Sequence, residues 1–484
     1  MRTLPDLRFA ILTDLQGAVQ PCGCTSHPLG GLDHLGALLS GLHSKKDIPL
    51  LTFFVGDTFF SAPQTDDKKR AEERWNVNLL VNVLSGFGPS AVLLGDNDHR
   101  TERAWLFDDL DRNGWPIMTR TPGVVANTIL DVGKTKVGVI AFRDAIDSAE
   151  AVSTELFHDA VASLRKDGAA VVVALVVGGR KTVSAIAKAG PDFIILGGVD
   201  EEDANPPVAI GKSWVLHASR QGRGVAVVDL FFGKPTTPWR DESPWSLEKT
   251  TETLKTEIAS LEQKIAQWKK EGSNLDAIRA QEERVTDMRT KLNSMQKPPN
   301  GDGSNHFVAT WVPFDKASPT DPEISRRMLL NDQRINAHNK EALADLKPLA
   351  VPKGQATFVG SQTCASCHAD AVSWWKGHPH GRAYQTLVDR HKEYSLDCVG
   401  CHVTGYDRPG GATVTQNLNG ALVNVGCESC HGAASLHIAS PPSSIIKSPD
   451  ASVCLQCHTP EHSDLFNFER YRDSLIVPGH GVKK

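Results

Sequence analysis

Cys364-Ala365-Ser366-Cys367-His368, Cys398-Val399-Gly400-Cys401-His402, Cys427-Glu428-Ser429-Cys430-His431 and Cys454-Leu455-Gln456-Cys457-His458 repeat one signature, Cys-x-x-Cys-His, within the last quarter of the chain. This spacing is that of c-type haem attachment. Two thiols three residues apart add across the two vinyl groups of one porphyrin, and the adjacent imidazole reaches the iron from one face. One copy reads equally well as a redox dithiol or half of a zinc site; four in tandem, each with its His, point to haem. The expectation is four haem c groups held through those eight cysteines, with His368, His402, His431 and His458 as proximal iron ligands. Roughly thirty residues then serve each haem, too few for a side-chain core, so the porphyrins themselves are expected to form it.

Working outward, the surrounding residues carry a family likeness. The run Phe358-Val359-Gly360-Ser361, Trp374-Trp375, His380-Gly381-Arg382-Ala383 and His402-Val403-Thr404-Gly405-Tyr406 precede the third motif. His431-Gly432 with His437 comes next, then Phe466, Phe468, Tyr471 and His480. Together, over residues 358–484, they resemble the cytochrome c-554 family of tetrahaem electron carriers. The resemblance implies His380, His437 and His480 as sixth ligands, with His378 able to replace His380 and with His391 and His462 as bystanders. Three such ligands for four irons would leave the haem of Cys398 and Cys401 five-coordinate and open to a small ligand.

Composition sets the outer limits. A chain of 484 residues with 40% apolar content accommodates two or three domains. The net charge of −5 offers no basic field for nucleic acid. No run of about twenty apolar residues is present to span a bilayer. Of ten cysteines, eight sit in the motifs and the others are Cys22 and Cys24, so counting rules out a structural disulfide framework. Met1-Arg2-Thr3 leads into an expected strand without the apolar stretch of a signal peptide. Haem c is attached outside the cytoplasm, so the expectation is a periplasmic or extracellular protein whose leader is missing from this sequence. Its partners would be redox proteins or an external electron acceptor.

Up to residue 240, short apolar runs alternate with amphipathic stretches. Expected strands are Arg8–Leu12, Leu50–Val55, Ala91–Leu94, Val137–Phe142, Val171–Val177, Phe193–Leu196, Trp214–His217 and Val225–Leu230. Such alternation argues for a layered α/β domain. Several strands end in Gly or Asp, and in open α/β sheets sites assemble at that rim. Residues 241–300 change texture: Leu254, Ile258, Leu261, Ile265 and Trp268, then Ile278, Val285, Met288 and Leu292, fall at steps of mostly three and four around Gly272. This predicts an antiparallel coiled-coil hairpin, an arm for dimerisation or docking. Residues 301–346 are expected to return to the α/β domain, 347–356 to form a linker, and 357–484 to form the mainly α, haem-packed domain.

The block Thr13-Asp14-Leu15-Gln16-Gly17, Gly56-Asp57, Gly95-Asp96-Asn97-Asp98 and Ala218-Ser219-Arg220-Gln221-Gly222-Arg223-Gly224 resembles the metallophosphoesterase scaffold of the 5′-nucleotidase family, an αββα sandwich. That family holds two metals with Asp, His and Asn side chains. Here Gln16 stands where the first His belongs, and Asp96-Asn97 replaces the usual Asn-His. The resemblance thus leaves Asp14 and Asp57, with Asp96 helping, as a remnant for one hard divalent cation such as calcium or magnesium. On the same rim, Cys22 and Cys24 are one residue apart and would form only a tight, labile disulfide, which marks them as a candidate redox pair. Three readings stand side by side. The first is an electron-transfer cytochrome whose N-terminal domain docks a partner or binds a ligand without phosphatase chemistry. The second is a redox enzyme in which Cys22 and Cys24 are wired to the haems, with a sulfur compound as substrate. The third is a metal-dependent nucleotidase with a cytochrome tether.

Overall fold

The computed structural model describes residues 4–21, 28–64, 66–144, 153–199, 204–234, 237–271, 275–295, 303–416, 420–441, 445–459, 463, 465–475 and 477. Twelve strands run in order β1 Leu7–Thr13, β2 Leu50–Gly56, β3 Ala91–Leu94, β4 Ala126–Val132, β5 Thr135–Arg143, β6 Val171–Val177, β7 Phe193–Gly197, β8 Val208–Ile210, β9 Ser213–Leu216, β10 Gly224–Phe231, β11 Arg240–Asp241 and β12 His306–Pro313. The longer helices are α1 Leu32–Ser44, α2 Arg70–Leu84, α3 Ala104–Arg112, α4 Thr154–Lys166, α5 Arg180–Ala189, α6 Pro244–Glu271, α7 Leu275–Met295 and α8 Pro322–Ala342. No described helix is long and apolar enough to cross a membrane.

The chain divides into two compact units. One comprises residues 1–18, 29–64 and 80–319; the other comprises 19–28, 65–79 and 320–484. The first contains two six-stranded sheets, ordered β11-β12-β10-β1-β2-β3 and β4-β5-β6-β7-β9-β8. In the first sheet, β1, β2 and β3 run parallel, β10 opposes both β1 and β12 at the centre, and β11 runs with β12. β5, β6, β7 and β9 likewise run together, flanked by the opposed β4 and β8.

Sequence explains this arrangement. β6 reads Val171-Val172-Val173-Ala174-Leu175-Val176-Val177, a β-branched run with no polar face, and every residue of it is buried. Such a run belongs to a parallel strand covered on both sides. One side, with Val171, Val173 and Leu175, joins Phe9, Phe53 and Phe193 in the core between the sheets. The opposite side, with Val172, Ala174 and Val176, packs on Phe157, Val161 and Leu164 of α4 and on Val183 and Ile186 of α5. Phe9 meets Phe53 edge-on at 5.2 Å and Phe193 at 6.1 Å, tying the two sheets. Each fully buried side chain of this size contributes about 1.5–3 kcal/mol.

β4 is an element that the apolar pattern does not reveal. Its residues are half-buried, and it pairs with β5 across Gly133-Lys134. Gly133 takes a φ of 60°, the left-handed geometry that a two-residue hairpin requires.

α6 and α7 lie antiparallel. Ile258, Ile265, Ile278 and Val285 are buried along their seam, with Leu261, Trp268, Met288 and Leu292 beside them. Ion pairs Arg289–Glu262 at 2.5 Å and Lys269–Glu282 at 2.7 Å fix the register.

The expected return segment is divided. β12 completes the first sheet, but α8 belongs to the unit of the four motifs. Its Asn339 donates to Glu72 at 3.2 Å and to the Tyr394 carbonyl at 3.0 Å, and Asn336 accepts the Tyr394 amide at 2.9 Å. That unit therefore begins at Thr320 rather than after the Pro-containing segment 347–356, and it includes two early stretches of chain. Pro348 and Pro352 read as a linker locally, but the polar contacts of α8 are long-range. A cluster of Val399, Val403, Ala412, Val414 and Leu422 also gives this unit a small side-chain core around the second motif, which chain length alone did not predict.

Candidate functional site

Each motif folds as one tight turn. In the first, the amides of Cys367 and His368 both bond the Cys364 carbonyl, at 3.2 and 2.8 Å. In the fourth, Cys457 and His458 do the same with Cys454, at 3.1 and 2.9 Å. The second and third motifs lie on single helical turns, Val399–His402 and Cys427–His431, the latter ended by Gly432 at φ 83°. A turn of this pitch brings positions one, four and five of the motif to one side. All eight cysteines are free of disulfides and at least partly exposed.

The imidazoles are poised for a metal. His402 Nδ1 bonds the Ala383 carbonyl and His431 Nδ1 the Ile446 carbonyl, both at 2.6 Å, while His458 Nδ1 meets Ser463 Oγ at 3.0 Å. A carbonyl can only accept, so at His402 and His431 Nδ1 carries the hydrogen and Nε2 the lone pair. Burial lowers the pKa of His402 and of His458, which keeps both rings neutral. Paired accessible thiols beside oriented imidazoles form a donor set that fits haem c.

The motifs adjoin one another through their sulfurs. Cys364 and Cys427 hydrogen-bond, as do Cys401 and Cys457, and the charges of Cys454 and Cys427 both act on Cys430. In the unmodified chain the sulfur bond from Cys364 brings the Cys427 thiol down to about 6, and that from Cys457 brings Cys401 down to about 7. Burial raises Cys430 to about 11.

His378 and His380 play different parts. The His378 ring stacks on Trp374 at 5.1 Å and on Trp375 at 5.0 Å, and its Nδ1 accepts the His380 amide at 3.3 Å. The His380 ring stacks on Trp375 at 5.6 Å and also stands 6.1 Å from that of His458, inclined at 69°. Burial, with smaller contributions from His378, His458 and His402, lowers His380 to about 4, so it too is neutral. His437 lies on the short helix Ser435–Ala439, with its Nδ1 buried and lacking a hydrogen-bond partner among the described residues. His391 is exposed. His462, His480, Cys22 and Cys24 fall outside the described residues.

At the strand-end rim of the first unit, Asp14, Asp57 and Asp96 are neighbours, but each faces donors of the chain itself. Asp14, at φ 48°, accepts the amides of Gly198 at 2.9 Å and Asp57 at 3.0 Å. Asp57 accepts Asn97 twice, from the amide at 2.9 Å and from Nδ2 at 2.8 Å. Asp96 pairs with Arg143 at 2.5 Å. Gly56 and Gly95 are required here, since a Cβ on either would overlap the carboxylate of Asp14 or Asp57. Burial, foremost, raises both Asp14 and Asp57 to about 6. Among the described residues, no group of three His, Cys, Asp or Glu is arranged to hold a metal ion. Around Asp14, Asp57 and Asp96, amides, an amide side chain and a guanidinium occupy the carboxylates. Arg143, which takes this role, lies 47 residues beyond Asp96, and no local pattern marks it.

Residues 363–432 match the family described as cytochrome c554 and c-prime. A stretch of 92 residues is 38% identical to cytochrome c-554 of Nitrosomonas europaea, covering 16% of this chain and 39% of that protein. The chain thus spans about two fifths of the curated relative it matches. The N-terminal part has nucleotidase- and phosphoesterase-like structural neighbours. One is the sulfate thiohydrolase SoxB of Thermus thermophilus, at 17% identity and TM-score 0.39, over 48% of this chain and 55% of that one. Another is a 5′-nucleotidase from Staphylococcus aureus, at 16% and 0.38, over 47% and 51%. A third is the calcineurin-like phosphoesterase YfkN of Bacillus subtilis, at 19% and 0.35, over 48% and 87%.

Proposed function

We propose that this chain is an electron-transfer cytochrome acting outside the cytoplasm, with four haem c groups attached at Cys364/Cys367, Cys398/Cys401, Cys427/Cys430 and Cys454/Cys457. Bound haem supplies reversible one-electron iron chemistry. The chain's part is attachment, axial ligation and spacing. The observation that carries the reading is the set of imidazoles of His402, His431 and His458, oriented through Nδ1, each beside its own pair of accessible thiols. His368, His402, His431 and His458 serve as proximal ligands. His380, whose neutral ring stands 6.1 Å from that of His458, would supply the sixth ligand at the fourth motif. His437, with its buried and unpartnered Nδ1, is assigned to a second iron, and His480 is retained for a third on the resemblance alone.

The sulfur contacts order the attachment sites as first, third, fourth, second. Electrons would pass between an external donor and acceptor along that order. The N-terminal unit acts as a docking or ligand-binding domain without phosphatase chemistry, since its carboxylates are already satisfied within the chain. Intact mass of protein matured in a host with the attachment machinery tests the reading. Four added haem masses are expected; a colourless product, or zinc on those thiols, would end it.

A further inference from the structure

Glu428, the first variable residue of the third motif, is only 1% exposed. Its Oε1 accepts the amides of Val359 at 3.0 Å and Ala434 at 2.8 Å; its Oε2 accepts those of Val359 at 3.1 Å and Gly360 at 2.7 Å. Both oxygens face donors only. A protonated acid would have to turn an O–H toward one of those N–H groups, so the geometry demands the anion. No ion pair among the described residues reaches this carboxylate; backbone dipoles alone balance it. Around it, Ser361 Oγ accepts the Cys427 amide at 3.0 Å and Thr404 Oγ1 accepts the Gly426 amide at 2.9 Å. The segment leading into the first motif is thereby fastened to the first turn of the third. The charge acts on the sulfurs of both Cys364 and Cys427, the neighbouring attachment points of motifs one and three.

Among the described residues, the carboxylates near motifs two and four are placed differently: Glu72, bonded by Ser395 close to motif two, is raised to about 7 by burial and has Lys69 beside it. Cys401 and Arg408 act on the Cys457 sulfur, and Asp450 acts on Cys454 but is fully exposed, where solvent screens it. Asp397 beside Cys398 is neutralised by its ion pair with Lys69.

We propose that Glu428 is a positioning residue that also sets potential. It clamps motif one to motif three and, as a buried uncompensated anion, holds the irons attached there at lower reduction potential than those of motifs two and four. One electron taken from an external reductant lowers the iron charge by one, with no bond made or broken. An adjacent buried anion opposes that change. Electrons entering the array would then come to rest at the end of motifs four and two, which gives the chain a direction.

This inference rests on the haem reading above. Its test is an equilibrium redox titration, monitored by visible spectra, of the fully matured protein and of Glu428→Gln. The variant keeps the shape and loses the charge. Two of four haems are expected to rise by about tenfold in their reduction equilibrium, which is about 59 mV for one electron, while the other two stay put. Glu428→Asp keeps the charge and is expected to restore the wild-type potentials, which a purely structural role would not do. Four attached haems with unmoved potentials, or all four moving together, would overturn the inference and leave the cytochrome reading standing. If Glu428→Gln attaches fewer than four haems, magnetic-resonance assignment of the wild-type titration decides: the two lowest potentials must belong to motifs one and three. A wild-type protein without haem would instead sink the underlying reading.

Discussion

The two units of this chain are held together by different means. In the first, strands such as β6 bury every side chain, and Phe9, Phe53, Phe193 and Phe307 are fully enclosed. In the second, apart from α8 and the first part of α2, the longest described helix is Ala369–Gly377, and of that helix only Val372 is buried. Its own cluster around Val399 and Val414 is small. The contrast shows where each unit keeps its folding information. The sandwich carries it in a continuous apolar pattern and is finished by its own side chains. The motif-bearing unit carries it in spaced cysteines and oriented imidazoles and, on the reading proposed above, would be finished by what those residues bind.

The sharpest way to break this comparison is to withhold haem. Full-length protein made without attachment machinery, or with Cys454→Ala and Cys457→Ala, is expected to lose ordered structure beyond Phe358 while the sandwich persists. Limited proteolysis would then release fragments ending near the fourth motif. Resistance of that region in the haem-free chain would show that side chains alone suffice there.

A smaller effect sharpens the other half. Phe9→Ala removes the edge contacts to Phe53 and Phe193 and should cost the sandwich about 3–5 kcal/mol. The haem spectrum should not change. A shared loss in both units would mean they do not melt separately.

The smallest expected effect is one of pH. Asp14 and Asp57 have folded pKa values raised to about 6 by burial. They hold protons more tightly folded than unfolded, so stability is fully present below about 4 and is lost as pH rises through 6. The displacement corresponds to about 3 kcal/mol for such a group. The thermal midpoint of the sandwich should therefore be higher at pH 5 than at pH 7.5. The reverse order would place these carboxylates with an unseen cation or base.

The sandwich was largely legible in the sequence because burial on both faces writes itself as uninterrupted Val, Ile and Leu. All eight expected strands form, and the seam of α6 and α7 falls where its period says. β4 escaped because Asn127, Thr128 and Asp131 break the apolar run; the signal that could have found it was Gly133-Lys134 between two strand-length segments. The motifs declared the attachment chemistry and the turns that present it. What they could not declare was long-range: the Asp96–Arg143 pair, the amides gathered on Glu428, and the approach of His380 to both Trp375 and His458. Each depends on residues brought together from separate turns, and no local period encodes that.

Membership of the motif-bearing unit has a consequence for how the chain is made. Glu72 bonds Asn339, Trp75 lies against His338 at 4.9 Å, Asn76 accepts from Asn331 at 2.7 Å, and Gln20 donates to Asp332 at 3.0 Å. Polypeptide translated near the start therefore waits, incompletely packed, until the ribosome has delivered α8 and the chain beyond it. Truncation at residue 346 would keep those partners yet strip Ser395 from Glu72, and a cut at 320 would orphan both early stretches. Severing this protein into separable halves would demand surgery at five places, not one.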